Sequence, residues 1–178
     1  MDGHPERSAS WRRVEGSIYM TDLELMEHAA KIAGNTKCWI GIGCVIAKGG
    51  KVLTEAWNET LVGEEYCQKF RERSSPGEDR SLETNDGCIR HELKLSGGKE
   101  PQLVCSIHAE MNAIAGAARK GLKIGGADIF VTSFPCLICM RAIIASGIKR
   151  IFYMNDFYKP HHLEMLEKNG VKVGQIEL

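Results

Sequence analysis

An excess of charge of either sign is missing from this sequence. Among its 178 residues, 23 Lys and Arg stand against 23 Asp and Glu, for a formal net charge of +0. Non-specific nucleic-acid binders carry a basic excess or stripe, so that class loses weight and keeps only the option of a local patch. No apolar run comes near the ~18 residues that a membrane-spanning helix needs. The longest candidate, Trp39–Ala47, is about half that length and is interrupted by Gly41 and Gly43. An apolar secretory stretch is also absent from the first 20 residues, which makes a reducing cytoplasm the expected location. There is no internal repeat and no low-complexity tract. Complete disulfide pairing is excluded because the seven cysteines are odd in number, and cytosolic thiols more often bind metal or do chemistry than pair. What is there is a chain of 19.7 kDa, 43% hydrophobic and 26% charged. That is the size of one globular domain, able to bury about two-thirds of its unfolded surface.

The expected organisation is a polar leader over residues 1–20, with Met20 as an alternative start, and one domain over 21–178. Thr21-Asp22-Leu23-Glu24 has the form of a capping box, and Leu23, Met26, Ala30 and Ala33 follow at helical spacing up to Gly34. Ile40–Ala47 and Val52–Trp57 have strand character, and Lys48-Gly49-Gly50-Lys51 between them predicts a β-hairpin. An irregular insertion containing cysteines occupies about 59–104, a length uncommon in a compact domain unless it is functional or tied down. Beyond it, helices are expected over His108–Lys120, Pro135–Ser146 and Pro160–Asn169, with strands at Ile129–Thr132, Ile151–Met154 and Val171–Ile176. A hairpin followed by βα units indicates an α/β fold with a mixed sheet covered by helices.

Two motifs carry the chemistry. His108-Ala109-Glu110 opens one helix, and Pro135-Cys136-Leu137-Ile138-Cys139 opens another after a strand. Cys136 and Cys139 project from one helical face, near a helix start whose dipole and free N–H groups favour thiolate over thiol. Thiolates bind zinc, and the His108 imidazole completes three protein ligands, one fewer than a closed structural site takes. A position is left for water, which zinc acidifies. Glu110 lies roughly 200° around the helix from His108 by the 3.6-residue period, poorly placed to bind the same metal and suited to carry protons across it. Alone, H-x-E is most often an ordinary helix start, and a cytosolic CxxC divides about evenly between metal and redox roles. In this order, with each half opening a helix, they form the zinc deaminase signature.

On these residues the sequence resembles the cytidine/deoxycytidylate (dCMP) deaminase superfamily, and most of all its dCMP deaminase branch. The resemblance runs from about Thr21 to Val173. It includes His108 through Ile114, Thr132-Ser133-Phe134-Pro135-Cys136, Gly147 through Ile151 and Tyr153 through Tyr158. Gly87 through Arg90 and Cys105-Ser106-Ile107 match a cysteine-rich subset of the family. The resemblance implies a three-layer fold with a mixed five-stranded sheet flanked by helices. It implies one catalytic Zn2+ on His108, Cys136 and Cys139, Glu110 as the proton carrier, and hydrolysis of a cytosine nucleotide, dCMP to dUMP, with release of ammonia. Asn58 stands where the family has the Asn of a Gly-Tyr-Asn-Gly turn, whose side chain contacts sugar or base; here the turn reads Ala56-Trp57-Asn58-Glu59. Arginines that family members often carry near the phosphate are absent from Cys38 through Ile42. The implied assembly is a homo-oligomer, often a hexamer, and no membrane or nucleic-acid partner is expected.

Five cysteines remain. Cys44, in an apolar strand, reads as a small core residue. Cys38, Cys67, Cys88 and Cys105 flank or lie within the insertion, and four thiolates make a closed zinc site that would hold such a segment in order. Cys88-x-x-His91 brings His91 in as a competing ligand, and unligated thiols are the plain alternative. Some dCMP deaminases that the chain resembles carry a second zinc in this region. Trp39 reads more readily as a core residue than as a base-stacking one, and His161 and His162 as surface residues.

Two rival functions remain in view. A deaminase of the same fold acting on a tRNA adenosine, a free base or a riboflavin precursor shares the Trp57-Asn58 pair with the tRNA-editing branch. The even charge balance and Asn155-Asp156 argue against it. A non-enzymatic zinc-stabilised nucleotide-binding module would have no use for Glu110.

Overall fold

The computed structural model describes residues 13–14, 17–36, 38, 40–61, 106–155 and 163–178. After two short paired strands, β1 (Arg13–Val14) and β2 (Ser17–Ile18), comes α1 (Asp22–Ala33). Next are β3 (Gly43–Lys48), β4 (Lys51–Trp57), β5 (Glu59–Thr60) and β6 (Ser106–Ile107). The chain continues through α2 (Ala109–Arg119), β7 (Asp128–Ser133), α3 (Leu137–Ala145), β8 (Arg150–Asn155), α4 (Leu163–Lys168) and β9 (Lys172–Gln175). The main sheet is five-stranded with order β4-β3-β7-β8-β9. Its first two pairings, β4 with β3 and β3 with β7, are antiparallel, and the last two are parallel. This is the mixed sheet that a hairpin followed by βα units predicts. Among the described residues no helix is long and apolar enough to cross a membrane.

Local chemistry accounts for the elements. Thr21 caps α1 in a complete capping box: its hydroxyl accepts from the Glu24 N–H, and the Glu24 carboxylate accepts from the Thr21 N–H at 2.7 Å. The β3–β4 hairpin turns on Gly49 (φ 58°) and Gly50 (φ 79°), both in the left-handed region that a two-residue type I′ turn requires. Gly43 allows close approach, because a Cβ there would stand 1.9 Å from the Ala29 carbonyl oxygen. The α1 backbone therefore lies directly on β3.

Side chains alternate across the central strands and fill two cores. On one face Leu25, Met26, Ala29 and Ile32 of α1 pack with Val45, Ala47 and Phe130. On the other, Cys44, Ile46, Ile129 and Val131 pack with Ala109, Ala113 and Ala117 of α2 and Met140 and Ile143 of α3. Helix, sheet and helices make three layers.

Several expected boundaries shift. The buried stripe of α1 is Leu25, Met26, Ala29 and Ile32, whereas Leu23 is 49% exposed; two apolar series overlap in this helix, and packing against β3 decides which one faces the sheet. Strand β3 begins at Gly43, since Ile40 is exposed and its carbonyl accepts a side-chain bond. Pro135 precedes the N-cap of α3 instead of entering its first turn. The first two residues of the expected insertion are strand β5, which pairs with β6. Residue 160, the expected start of the last helix, lies outside the described residues, and α4 covers Leu163–Lys168.

Candidate active site

Both chemical motifs sit at helix starts on one face of the sheet. His108 is the N-cap of α2 (φ −64°, ψ 145°) and Cys136 the N-cap of α3 (φ −70°, ψ 165°), and neither side chain caps its own helix. N-cap side chains ordinarily bond the first free N–H groups of their helix. Here they turn to one another. His108 Nδ1 lies 3.5 Å from Cys136 Sγ and 3.4 Å from Cys139 Sγ, and one donor atom from each residue falls within 4.8 Å of the others. Nitrogen at about 2.0 Å and sulfur at about 2.3 Å from one tetrahedral zinc would be about 3.5 Å apart. The three donors therefore have the spacing that a zinc ion requires, and no other such trio occurs among the described residues.

Thiol chemistry points the same way. A hydrogen bond from Cys139 draws the Cys136 thiol down to about 4 against the opposing effect of burial, with His108 assisting. Cys139 moves up because it is the donor to Cys136, and burial and the charges of Glu110 and Cys136 push it further. A divalent cation is what allows both sulfurs to be thiolates.

Glu110, in the first turn of α2, is 4% exposed. Burial pushes its carboxyl up, while its own backbone N–H, His108 and the Cys139 thiol act in the opposite direction. Cys44 is fully buried in the same core, its thiol raised by that burial and by Glu110. It packs as the core residue that the strand pattern predicts. A buried carboxyl beside a metal-ligand trio, with elevated proton affinity, suits proton transfer near neutral pH.

Strands β7 and β8 run parallel, and their carboxyl ends, Ser133 and Asn155, are paired. Ligands of open α/β sheets bind in the crevice outside such ends. The Phe134 N–H donates to Asn155 O at 2.9 Å and the Asn155 amide to Thr132 O at 3.2 Å, which holds the turn leading into Cys136.

The opposite wall follows β4. Asn58 is 5% exposed, its Oδ1 accepting from Ile42 N and its Nδ2 donating to Ile40 O, each at 2.8 Å. The Thr36 hydroxyl donates to Asn58 O and accepts from Cys38 N at 3.0 Å. Asn112 of α2 donates to Trp57 O at 3.1 Å and so ties this wall to the helix that carries His108 and Glu110. Thr36 and Asn112 escaped the sequence reading. Asn112 lies inside the resemblance stretch, but the partners of Thr36 and Asn112 depend on where distant strands end. His28, for which the sequence offers no partner, lies 2.5 Å from Glu55.

Of the residues assigned to a second metal, Cys38 is half-buried, and Cys67, Cys88 and Cys105 lie outside the described residues, as do His91, Trp39, His161 and His162.

Comparison with known proteins agrees with this geometry. Residues 20–155 match the family model described as the cytidine and deoxycytidylate deaminase zinc-binding region. ComE operon protein 2 of Bacillus subtilis is 30% identical over 140 residues, which are 78% of this chain and 61% of that relative. Deoxycytidylate deaminase of Enterobacteria phage T2 is 30% identical over 170 residues, covering 85% of this chain and 90% of the relative. Among solved structures, the dCMP deaminase of cyanophage S-TIM5, in complex with dCMP and dUMP, superposes with a TM-score of 0.61 at 24% identity. That match covers 85% of this chain and 93% of the other. The zinc-spaced trio, the mixed five-stranded sheet and the match across 20–155 lead to one conclusion: the chain belongs to the zinc-dependent cytidine and deoxycytidylate deaminase family.

Proposed function

We propose that this chain is a dCMP deaminase, hydrolysing dCMP to dUMP and ammonia. The observation that carries the chemistry is the His108, Cys136 and Cys139 trio with Glu110 buried beside it. The choice of dCMP draws on relatives named deoxycytidylate deaminase, the phage T2 enzyme among them. His108 Nδ1 and the two sulfurs would hold zinc, which when bound supplies Lewis-acid activation of water. Glu110 moves the protons. Its carboxylate takes one from water and delivers it to N3 of the ring as the water oxygen bonds C4. The C4–N4 bond then breaks, and the amino nitrogen leaves as ammonia with a proton that Glu110 passes on. Cys44, Ala109 and Ala113 make the surrounding core apolar and exclude water from it.

Asn58 is the residue that the family turn assigns to substrate. Its two backbone bonds leave one amide hydrogen and one carbonyl lone pair for that contact. For Cys38, Cys67, Cys88 and Cys105 we assign a second, structural zinc. The support is a four-sulfur donor set spread around the segment 62–105, and two zinc ions per chain is the expected stoichiometry. We further assign a homo-oligomer and a cytoplasmic location.

The test is ammonia release from dCMP, CMP, deoxycytidine, adenine, guanine and a tRNA stem-loop, with metal analysis on the same preparation. dCMP as the preferred substrate is the expected result. Preference for the stem-loop or a free base would overturn the substrate, and absence of zinc would overturn the mechanism.

A further inference from the structure

A local patch is the one form of basic excess that an even net charge permits, and the end of the sheet opposite the reacting groups carries one. Lys48 closes β3 and Lys51 opens β4, while Arg150 and Lys172 open β8 and β9. Register sets them in one row: Lys48 pairs with Lys51, Ala47 with Asp128, Asp128 with Arg150, and Arg150 with Lys172. Lys149 joins the row, its N–H donating to Ala127 O and its carbonyl accepting from Lys172 N, each at 2.9 Å. Neighbouring strands lie about 4.8 Å apart, so the row is about 19 Å long. Asn155, at the other end of β8, is about 17 Å away along the strand.

The acids at this end are already engaged. Asp128 accepts two hydrogen bonds from the Arg150 guanidinium, at 2.6 and 2.7 Å, Asp22 stands 3.7 Å from it, and Glu24 belongs to the capping box. Lys51, Lys123, Lys149 and Lys172 are exposed and have no carboxylate partner among the described residues. Attraction to a helix carboxyl end explains Arg119 and Lys120, which finish α2. It does not explain Lys48 and Lys51, strand residues set directly opposite one another although like charges so placed repel. Lys48 Nζ reaches Gly125 O at 3.0 Å, which carries the positive charge over the loop ahead of β7.

An aromatic ring completes the surface. Tyr19 is 45% exposed, and its Cβ lies against the hairpin tip, 3.5 Å from where a Gly50 Cβ would stand. No described ring or cation stacks on it. Unpaired lysines beside a bare aromatic face are what a single nucleic-acid strand uses: cations follow its phosphates, and bases stack on rings. A row of about 19 Å spans about three to five phosphates. An anionic bilayer is the poorer fit. Leu23, an exposed aliphatic side chain at this end, sits between Asp22 and Glu24, whose carboxylates a bilayer of that charge repels.

We propose that this end of the sheet docks a single-stranded nucleic acid, with Lys48, Lys51, Lys149 and Lys172 on phosphates and Tyr19 stacked on a base, apart from the catalytic crevice. The test is fluorescence anisotropy of a labelled dT 20-mer against the zinc-loaded full chain at 50 and 200 mM salt, with ammonia release from the preferred nucleotide or base and the melting temperature measured alongside. Four phosphate contacts at a slope of about −0.7 each should weaken binding about 50-fold between the two salts. Replacing Lys51, Lys149 and Lys172 together by Gln should reduce that dependence to about threefold and weaken binding at the lower salt. Tyr19→Ala should weaken binding about tenfold at both salts, while Tyr19→Phe retains it. Turnover should stay within about twofold of wild type throughout, and the triple variant should melt at or above wild type because it relieves repulsion. No binding at the lower salt would overturn the proposal. So would a triple variant or a Tyr19→Ala chain that binds like wild type, a triple variant that melts lower, or turnover lost together with binding. Equal affinity for a polyglutamate 20-mer or for phosphatidylserine vesicles would also overturn it, making the partner an acidic protein or a membrane.

Discussion

The same strands build both faces of the central sheet, and the two faces do different work. Toward α1 the side chains of Val45, Ala47 and Phe130 meet Leu25, Met26, Ala29 and Ile32, an apolar layer bordered by the His28–Glu55 and Arg150–Asp22 pairs. Toward α2 and α3 the neighbouring residues Cys44, Ile46, Ile129 and Val131 meet a layer that contains Cys136, Cys139 and Glu110. Glu110 is the only buried charged residue among those described. The difference arises from where helices begin. Both α2 and α3 start with a residue of the proposed metal trio in the N-cap position, beside the paired carboxyl ends of β7 and β8. Helix α1 starts with a Thr that caps it and contributes nothing to chemistry. An N-cap is thus a stability device on one face and a ligand position on the other.

That contrast can be broken most severely on the chemical face. Cys139→Ala removes a ligand buried to 1% exposure and should abolish both activity and one equivalent of zinc, read by ammonia release and metal analysis. Glu110→Gln is expected to keep the zinc and to lower kcat by about 10²–10⁴-fold. A Glu110→Gln chain with wild-type kcat would sink the proton-carrier role.

On the structural face the expected effects are on stability. Gly43→Ala places a Cβ 1.9 Å from the Ala29 carbonyl oxygen, so α1 must shift away from β3 at a cost of about 1–3 kcal/mol or more. A lowered urea midpoint with turnover per bound zinc retained is the expected result, and an unchanged midpoint would contradict the close approach. Smallest is Thr21→Ala, which removes the capping box of α1 and should cost about 1 kcal/mol, seen as a few degrees in the melting temperature. Losses of zinc in either variant would show that the two faces are coupled.

The sequence made the chemical face more legible than the structural one. His108, Glu110, Cys136 and Cys139 follow a spacing that a metal site and the helix period would impose, and the structure brings His108, Cys136 and Cys139 together with Glu110 buried beside them. Gly49-Gly50 marks the hairpin equally well, because few residues tolerate its backbone angles. The inward stripe of α1 was not readable, since Leu23 and Leu25 each begin an apolar series and only packing against β3 decides between them. Nor were the bonds of Asn58, which depend on where the distant segment Ile40–Ile42 comes to rest, since no local pattern encodes that.

The pairing of Glu59–Thr60 with Ser106–Ile107 has a consequence for evolution and engineering. It makes the departure and return points of residues 62–105 a hydrogen-bonded pair of strands, joined to β4 on one side and to His108 on the other. The entropic cost of joining two fixed ends grows only logarithmically with the length of the connection, each doubling adding about 0.6 kcal/mol. A connection of another length can therefore join the same two strand ends without changing the register of the main sheet. The ladder acts as a socket, and the reacting groups stand just outside it.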